Sequence, residues 1–174
     1  MKNTIRFILS AIILLSAISF AFAQNKKEKD YEFCGQNWSW NNGKSFRDLR
    51  ELSMSAVDSL NVDGKTNGGI SVKGENRNDI LIRACVQAWS DSEESARKLG
   101  ESVQIQKGSN VYAESNSGEK NWSVSYQILV PNKTNLNLTA NNGGISINDV
   151  EGKIEFFTKN GGISLKNLAG DVQG

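Results

Sequence analysis

The side chains that most often perform enzyme chemistry are scarce in this sequence. Histidine is absent, which removes the usual general base, the commonest catalytic zinc ligand and the usual partner of a nucleophilic Ser or Cys. Carboxylates could still act as acid and base in glycoside cleavage, and the candidates are Asp149, Glu151 and Asp171. All three fall near turns, where acidic residues commonly serve the turn itself. We therefore predict a protein that is not an enzyme, and keep a carboxylate-based glycoside hydrolase on a β-helix as an alternative.

Binding motifs for phosphate and for metal ions fail on their spacing. Gly43-Lys44-Ser45 matches the end of a phosphate-binding loop, but Trp38 stands where the loop requires its first glycine. Asp149 to Gly152 fits neither the EF-hand nor the glycine-rich nonapeptide calcium repeat. The sequence therefore predicts no catalytic, cofactor-binding or metal-binding residues, and no cofactor.

The amino-terminal residues 1–23 have the pattern of a signal peptide. Lys2 and Arg6 precede an apolar run, and Ala21-Phe22-Ala23 is a small-residue cleavage site. A membrane anchor is the competing interpretation, but the run is at the short limit for a span. Cleavage changes the count of basic and acidic residues from 20 and 19 to 18 and 19. We expect an exported protein of the periplasm or cell surface, with no membrane span after cleavage and no nucleic-acid partner.

Export brings the two cysteines, Cys34 and Cys85, into an oxidising compartment. A disulfide between them would close a loop of about 50 residues and add up to ~4 kcal/mol to the free energy of unfolding. Two free thiols are the alternative.

Trp38 and Trp40 are candidates for ligand contact, because flat indole rings suit sugar faces and protein partners. Packing against the sheet is the alternative for both. Trp122 is expected to be buried, since it begins the alternating apolar row of a long strand.

The elements that must position these side chains are short and regularly spaced. From Leu136 onward the apolar residues form pairs nine positions apart, as two inward positions of successive strands would: Leu136/Leu138, Ile145/Ile147, Ile154/Phe156, Ile163/Leu165, then Val172. Within this run an Asn-Gly-Gly phrase begins at Asn142 and again at Asn160, so that one full repeat holds two such pairs. The spacing predicts a mainly β fold of stacked, solenoid or β-helix-like repeats. An antiparallel β-sandwich of hairpins is the alternative, since Asn-Gly also favours hairpin turns.

Three copies of the phrase are predicted to be structural turns. We expect the paired glycines to adopt positive φ, and we expect Asn142 and Asn160 to form a ladder along the stack. The first copy begins at Asn67, and its separation from the second is not a whole number of repeat periods, which assigns it to a separate layer. The predicted turn residues are Asn67, Gly68, Gly69, Asn142, Gly143, Gly144, Asn160, Gly161 and Gly162.

The remaining segments complete the predicted organisation. Residues 24–56 are expected to be a linker and an irregular amino-terminal segment. Residues 57–131 are expected to form a β layer containing two long strands, Ile80–Trp89 and Trp122–Val130. A short helix at about 91–100 is predicted from a capping box at Ser90–Glu93 and a stop at Gly100. Residues 132–174 are expected to hold the 18-residue repeats, as part of a longer array.

Taken together, these phrases resemble a bacterial family of exported putative adhesin domains, otherwise a domain of unknown function. The resemblance runs from about Phe33 to the carboxyl end, through Cys34, the Asn-Gly-Gly phrases, Ile82–Trp89 and Asn121–Tyr126. It implies an adhesin or surface scaffold that binds a macromolecular partner, such as a glycan or a cell-surface protein. A self-associating envelope protein, joined through the open end of the repeats, is the alternative.

Overall fold

The computed structural model describes residues 33–35 and 44–174. The chain divides into a unit of residues 1–38 and a unit of residues 39–174. Of the first unit only 33–35 are described, with Phe33 and Cys34 helical. The predicted signal peptide, Trp38 and Trp40 lie outside the described residues.

The second unit is mainly β. Its described elements are β1 (Lys44–Ser55), β2 (Ser59–Asp63), β3 (Ile70–Glu75), β4 (Asp79–Ser90), α1 (Glu93–Ser102), β5 (Val103–Gln106), β6 (Asn110–Ser115), β7 (Trp122–Pro131), β8 (Asn135–Ala140), β9 (Ile145–Asn148), β10 (Glu151–Thr158), β11 (Ile163–Lys166) and β12 (Ala169–Gln173). The two long strands predicted from the sequence are confirmed as β4 and β7, and Pro131 is the last residue of β7.

Two six-stranded sheets hold these described strands. The first has the order β1-β4-β7-β3-β9-β11, and the second has the order β12-β10-β8-β2-β6-β5. Strands of both predicted segments, 57–131 and 132–174, contribute to each sheet. Inward residues of the two sheets form one apolar core that includes Leu60, Ile82, Ile128 and Leu138, each with no exposed surface. Two layers over a shared core fit the sandwich of the alternative, but its antiparallel hairpins are not the general rule of the described sheets.

Most neighbouring strands are parallel, and their register follows the repeat spacing. Ile145 of β9 lies opposite Ile163 of β11. Ile154 of β10 lies opposite Leu136 of β8 on one side and Val172 of β12 on the other. Each of these partners is one repeat period away along the chain. The expected superposition of aliphatic residues is therefore confirmed in both sheets.

The first Asn-Gly-Gly phrase lies in the same stack as the later two, so the prediction that sets its layer apart from them is wrong. Strand β3, which follows the phrase, pairs in parallel with β9, so that Ile70 lies opposite Ile145. The separation between the first two phrases need not be a whole number of periods, because the intervening chain forms α1 and the strands β4 to β7 on one side of β2 and β3 and then returns to their other side as β8 and β9.

Residues 44–55, predicted to be irregular, form the twelve-residue strand β1, which pairs along its whole length with β4. Two charged residues of β1, Asp48 and Arg50, lie opposite the inward residues Val86 and Ala84 of β4. Because charged residues occupy these positions, the sequence of β1 lacks the apolar–polar alternation that predicts a strand. Arg50 is accommodated because its guanidinium donates hydrogen bonds to Asp48 and to the carbonyl oxygens of Gly100 and Val103.

Helix α1 is confirmed, two residues later than predicted. Its N-cap is Ser92, whose hydroxyl accepts a hydrogen bond from the Ser95 amide at 3.1 Å. Gly100 does not stop the helix; it is buried within it, where a Cβ would overlap the Phe46 ring. Close packing against β1 is therefore the reason for this glycine.

The two cysteines are joined. Cys34 and Cys85 are both buried and disulfide-bonded, and the sequence contains two cysteines. The predicted pairing is thus confirmed.

Candidate binding site

A cavity of about 550 Å³ opens at the corner where the two sheets are joined by turns. We call it the corner pocket; it is lined by residues 64–67, 112–115, 118–120, 122–124 and by Tyr126. Its volume lies within the range of small-molecule sites, about 300–1,000 Å³. All of its lining residues belong to the second unit.

The corner pocket lies beside a layer whose connection lacks the Asn-Gly-Gly phrase. Strand β6 pairs with β2, and β7 pairs with β3, so β6 and β7 form a layer beside β2 and β3. The connection from β2 to β3 carries the phrase Asn67-Gly68-Gly69, which turns tightly. The connection from β6 to β7 is instead residues 116–121, which lack the phrase. The two connections are equally long, at six residues each, so the pocket goes with the missing phrase and not with extra length of chain.

Tyr126 is the chemically distinctive member of the pocket. It lies in the inward row of β7 and is 1% exposed. Its hydroxyl is buried and has no hydrogen-bond partner among the described residues. Burial raises the pKa of Tyr126, and the Asp63 carboxylate raises it further. The hydroxyl therefore stays protonated and can donate a hydrogen bond.

Trp122 supplies an aromatic wall, and it is only partly buried, so the prediction that it is buried is wrong. It is the first residue of β7, next to the 116–121 connection, and it packs against the core while part of its side chain stays exposed. Its indole Nε1 donates to the Glu119 carbonyl oxygen at 3.0 Å, which fixes the plane of the ring. A fixed indole facing a cavity is suited to stacking.

Charges in the corner pocket are balanced. The lining includes two cationic residues, Lys65 and Lys120, and two acidic residues, Glu114 and Glu119. The Lys65 ammonium bridges to Asp63 at 3.0 Å and lies 4.9 Å from the centre of the Tyr112 ring. The site therefore offers hydrogen bonds and aromatic surface without a strong net charge.

The predicted asparagine ladder is confirmed, and it is longer than expected. Asn160 donates its side-chain amide to Asn142 at 2.8 Å, and Asn142 donates to Asn67 at 3.1 Å. Asn67, the first rung, also lines the corner pocket. The ladder thus fixes the turn that forms one wall of the site.

The glycines of the three phrases do not adopt positive φ, which corrects the prediction; the described glycines that do are Gly108, Gly118, Gly152 and Gly170. Close stacking of the backbone requires the first glycine of each pair instead. A Cβ on Gly143 would overlap the Gly68 carbonyl oxygen, and one on Gly161 would overlap that of Gly143. Gly162, by contrast, has no neighbour within 4 Å of an added Cβ.

The carboxylates considered for glycoside cleavage have structural partners. Asp149 accepts a hydrogen bond from Asn167 at 2.8 Å, and both residues have turn conformations, with φ of 59° and 51°. The Glu151 carboxylate lies 3.8 Å from the Lys133 ammonium, and Asp171 accepts from Gln173 at 3.3 Å. None of the three lines the corner pocket.

A second surface feature lies at the edge strands β11 and β12. Their inward residues are exposed: Ile163 by 49%, Leu165 by 42% and Val172 by 38%. The equivalent residues one layer away, Ile145, Ile147 and Ile154, are buried.

Sequence reasoning missed Tyr126, Tyr112 and Lys65 as site residues. A usable signal was present, because a Tyr in the inward row of a strand needs a partner for its hydroxyl. Nothing in the sequence indicated that residues 116–121 and the turn at Asn67 lie side by side. Among the described residues, no group of three or more Cys, Asp or Glu could hold a metal ion, and no helix has the length and apolarity of a membrane span.

No protein-family description matches this chain, and no curated protein matches it either. Similar solved structures do exist. One is a putative adhesin from Bacteroides fragilis, with 13% identity and a TM-score of 0.38, over 72% of this chain and 60% of that one. Another is a putative cell adhesion protein from Clostridium sporogenes, with 11% identity and a TM-score of 0.33, over 66% and 59%. A third is a putative lipid binding protein from Parabacteroides distasonis, with 13% identity and a TM-score of 0.33, over 70% and 61%.

Two of these three structures have names that refer to adhesion, and the third has a name that refers to lipid binding. This chain spans about three fifths of the length of the three structures. Likeness at these TM-scores and identities assigns neither a function nor a partner to this chain.

Proposed function

We propose that this chain is an exported, non-enzymatic β-repeat protein that binds a macromolecular partner in its envelope or at the cell surface, and that the corner pocket is the binding site. The observation that carries the proposal is a cavity lined by a fixed indole and by Tyr126, whose buried hydroxyl has no hydrogen-bond partner among the described residues. A buried polar group without a partner is costly, and a ligand that accepts its hydrogen bond offsets that cost.

The architecture supports a scaffold role. We propose that β8 to β12 form a solenoid of 18-residue layers, which the registers of β10 and β11 and the asparagine ladder support. Such an array holds the turn at Asn67 rigidly, because each rung is bonded to the next. Export is supported by the disulfide between Cys34 and Cys85.

The binding proposal is tested with the exported protein, purified from the periplasm of an expressing bacterium and labelled with a fluorophore. We expect saturable binding to intact cells of at least one type in a panel of bacterial and animal cells. Tyr126→Phe should reduce the affinity about tenfold, since it removes one donor from a desolvated site.

Trp89→Ala is the control for Trp122→Ala. It removes an indole from the same sheet, at a residue that does not line the corner pocket. Trp122→Ala should weaken cell binding and Trp89→Ala should not. Binding that survives both Tyr126→Phe and Trp122→Ala would place the partner elsewhere, and absence of saturable binding to every cell type would contradict the function.

Self-association is a second candidate, favoured by the exposed Ile163, Leu165 and Val172 on the edge strands. An edge strand with an apolar inward row can add a strand from another copy.

Leu165→Lys should abolish association seen by light scattering at high protein concentration, because it puts a charge into the apolar contact. Ser164→Lys is its matched control, since Ser164 is an exposed neighbour on the opposite face of the same strand. Equal association of the two variants would exclude this edge as the contact.

A further inference from the structure

We infer that the occupant of the corner pocket is a neutral sugar residue of a glycan, with a pyranose ring stacked on Trp122 and a hydroxyl or ring oxygen that accepts from Tyr126. This inference rests on the proposed function and narrows it, since the function itself requires only some macromolecular partner at this site.

Charge balance is the first argument. Two cationic and two acidic side chains line the pocket. Lys65 is already bridged to Asp63 at 3.0 Å, and Glu114 accepts a hydrogen bond from Gln106 at 2.8 Å. A strongly acidic or basic ligand would meet side chains of its own charge as well as side chains of the opposite charge, so repulsion would offset part of the attraction. An uncharged ligand would not meet this repulsion.

The aromatic surface is the second argument. Sugar rings have apolar faces of C–H groups and polar edges of hydroxyls, so they bind where a flat ring adjoins hydrogen-bonding groups. Trp122 offers such a ring, held by its own bond to Glu119. Tyr112 already has Lys65 at 4.9 Å from its ring centre, so the indole is the better stacking surface.

The third argument is the depth of the hydrogen-bond donor. Tyr126 is 1% exposed, and its hydroxyl has no partner among the described residues. Because the phenol oxygen is closed to water in the unliganded structure, the inference requires the lining to open when a ligand hydroxyl pairs with it. Thr66, Asn67 and Ser123 supply further polar groups on the lining. A purely apolar ligand, such as an acyl chain, would leave the phenol unpaired.

Isothermal titration of the exported protein with neutral mono- and disaccharides tests the inference, after a glycan array has selected the sugars. Glucuronic acid, glucosamine and a fatty-acid micelle are the comparison ligands. We expect at least one neutral sugar to bind and to compete with the labelled protein for cells. Tyr126→Phe and Trp122→Ala should each weaken that binding about tenfold, and Trp89→Ala should leave it within twofold.

Thermal unfolding separates a ligand-binding hydroxyl from a structural one. Tyr126→Phe removes a buried group that lacks a partner, so the unliganded variant should melt no lower than wild type and up to about 2–4 °C higher. A lower melting temperature would show that the hydroxyl stabilises the fold, and would overturn its assignment to the sugar.

The outcomes distinguish the inference from the function beneath it. Tyr126-dependent binding to cells that no neutral sugar inhibits, or that persists after periodate oxidation of cell-surface glycans, would overturn the sugar and leave the binding function intact. Absence of cell binding together with Tyr126-dependent binding of a free sugar would contradict the function and uphold the ligand class.

Discussion

Tyr126 combines two properties that rarely coincide in a stable protein, burial and an unpartnered hydroxyl. Its position follows from the alternation of β7, which places Val124, Tyr126, Ile128 and Val130 in one buried row. Phe would satisfy the packing at this position without the polar cost. The hydroxyl therefore points to a requirement other than stability.

The raised pKa of Tyr126 has a measurable consequence at alkaline pH. Burial, and secondarily Asp63, raise the pKa above the usual 10.0. Above that pH the unfolded chain releases a phenol proton that the native state retains. The free energy of unfolding should therefore fall with rising pH, by about 1 kcal/mol per pH unit from this residue, and should be unaffected by it below about pH 9.

Urea denaturation of wild type and Tyr126→Phe, from about pH 9 to 11, measures this effect. The difference between the two free energies should change steadily with pH as the wild type loses stability. Two parallel curves would show that Tyr126 titrates alike in both states.

For single residues, the sequence indicated which side chains are buried better than it indicated which distant residues they contact. The alternating row that begins at Trp122 continues through Tyr126, which is buried, and the Asn ladder followed from repeat spacing. The corner pocket required Lys65, Tyr112 and Trp122 to converge from the end of β2, from β6 and from β7, and spacing along the chain carries no information on that convergence.

The turns show how an element can need glycine without a special φ. In the second and third phrases, the first glycine lies against the backbone of the preceding turn, as Gly143 does against Gly68. Any side chain there would push the two layers apart. The tight turns and the asparagine ladder therefore depend on the same glycines.

Substitution of two glycines from successive phrases tests this explanation. Gly143→Ala should lower the free energy of unfolding by about 1–3 kcal/mol, because its Cβ would overlap the Gly68 carbonyl group. Gly162→Ala should change it by less than about 0.5 kcal/mol, since nothing lies within 4 Å of its Cβ. Urea denaturation measures both, and equal losses would show that turn conformation rather than stacking requires glycine.

Elements were predictable where one physical signal dominated. Strands β4 and β7 have unbroken apolar alternation, and both were predicted almost to the residue. Strand β1 was missed because Arg50 occupies an inward position and is satisfied by carbonyl oxygens at the end of α1. That compensation is tertiary, so the local pattern could not reveal it.

The disulfide acts at the scale of the whole chain, because it joins two cysteines far apart in the sequence. In the chain-entropy model it adds up to about 4 kcal/mol to the free energy of unfolding. The double variant Cys34→Ser, Cys85→Ser should therefore unfold at lower urea concentration by a corresponding amount. Thiol titration of the denatured, unreduced protein is the control, and finding two free thiols would contradict the pairing.

The topology explains why the layer order could not be derived from spacing. Repeats of constant period stack in sequence order, but β2 and β3 lie between the layer of β6 and β7 and that of β8 and β9. A chain segment of any length can separate two strands that pair with each other. The repeat period alone therefore predicts the order of the layers from β8 to β12, but it does not predict where the layer of β2 and β3 lies.

This interleaving also bears on the order in which the chain can fold. Closing β9 onto β11 spans a single repeat period, whereas closing β3 onto β9 spans about four times that length of chain, which costs roughly 1 kcal/mol more in loop entropy. A chain emerging amino-terminus first presents β2 and β3 before either flanking strand exists in its sheet. The backbone hydrogen-bonding groups of β2 and β3 stay unpaired until the later strands are synthesised. The amino-terminal half is therefore the part of the chain most in need of protection by a chaperone during biogenesis.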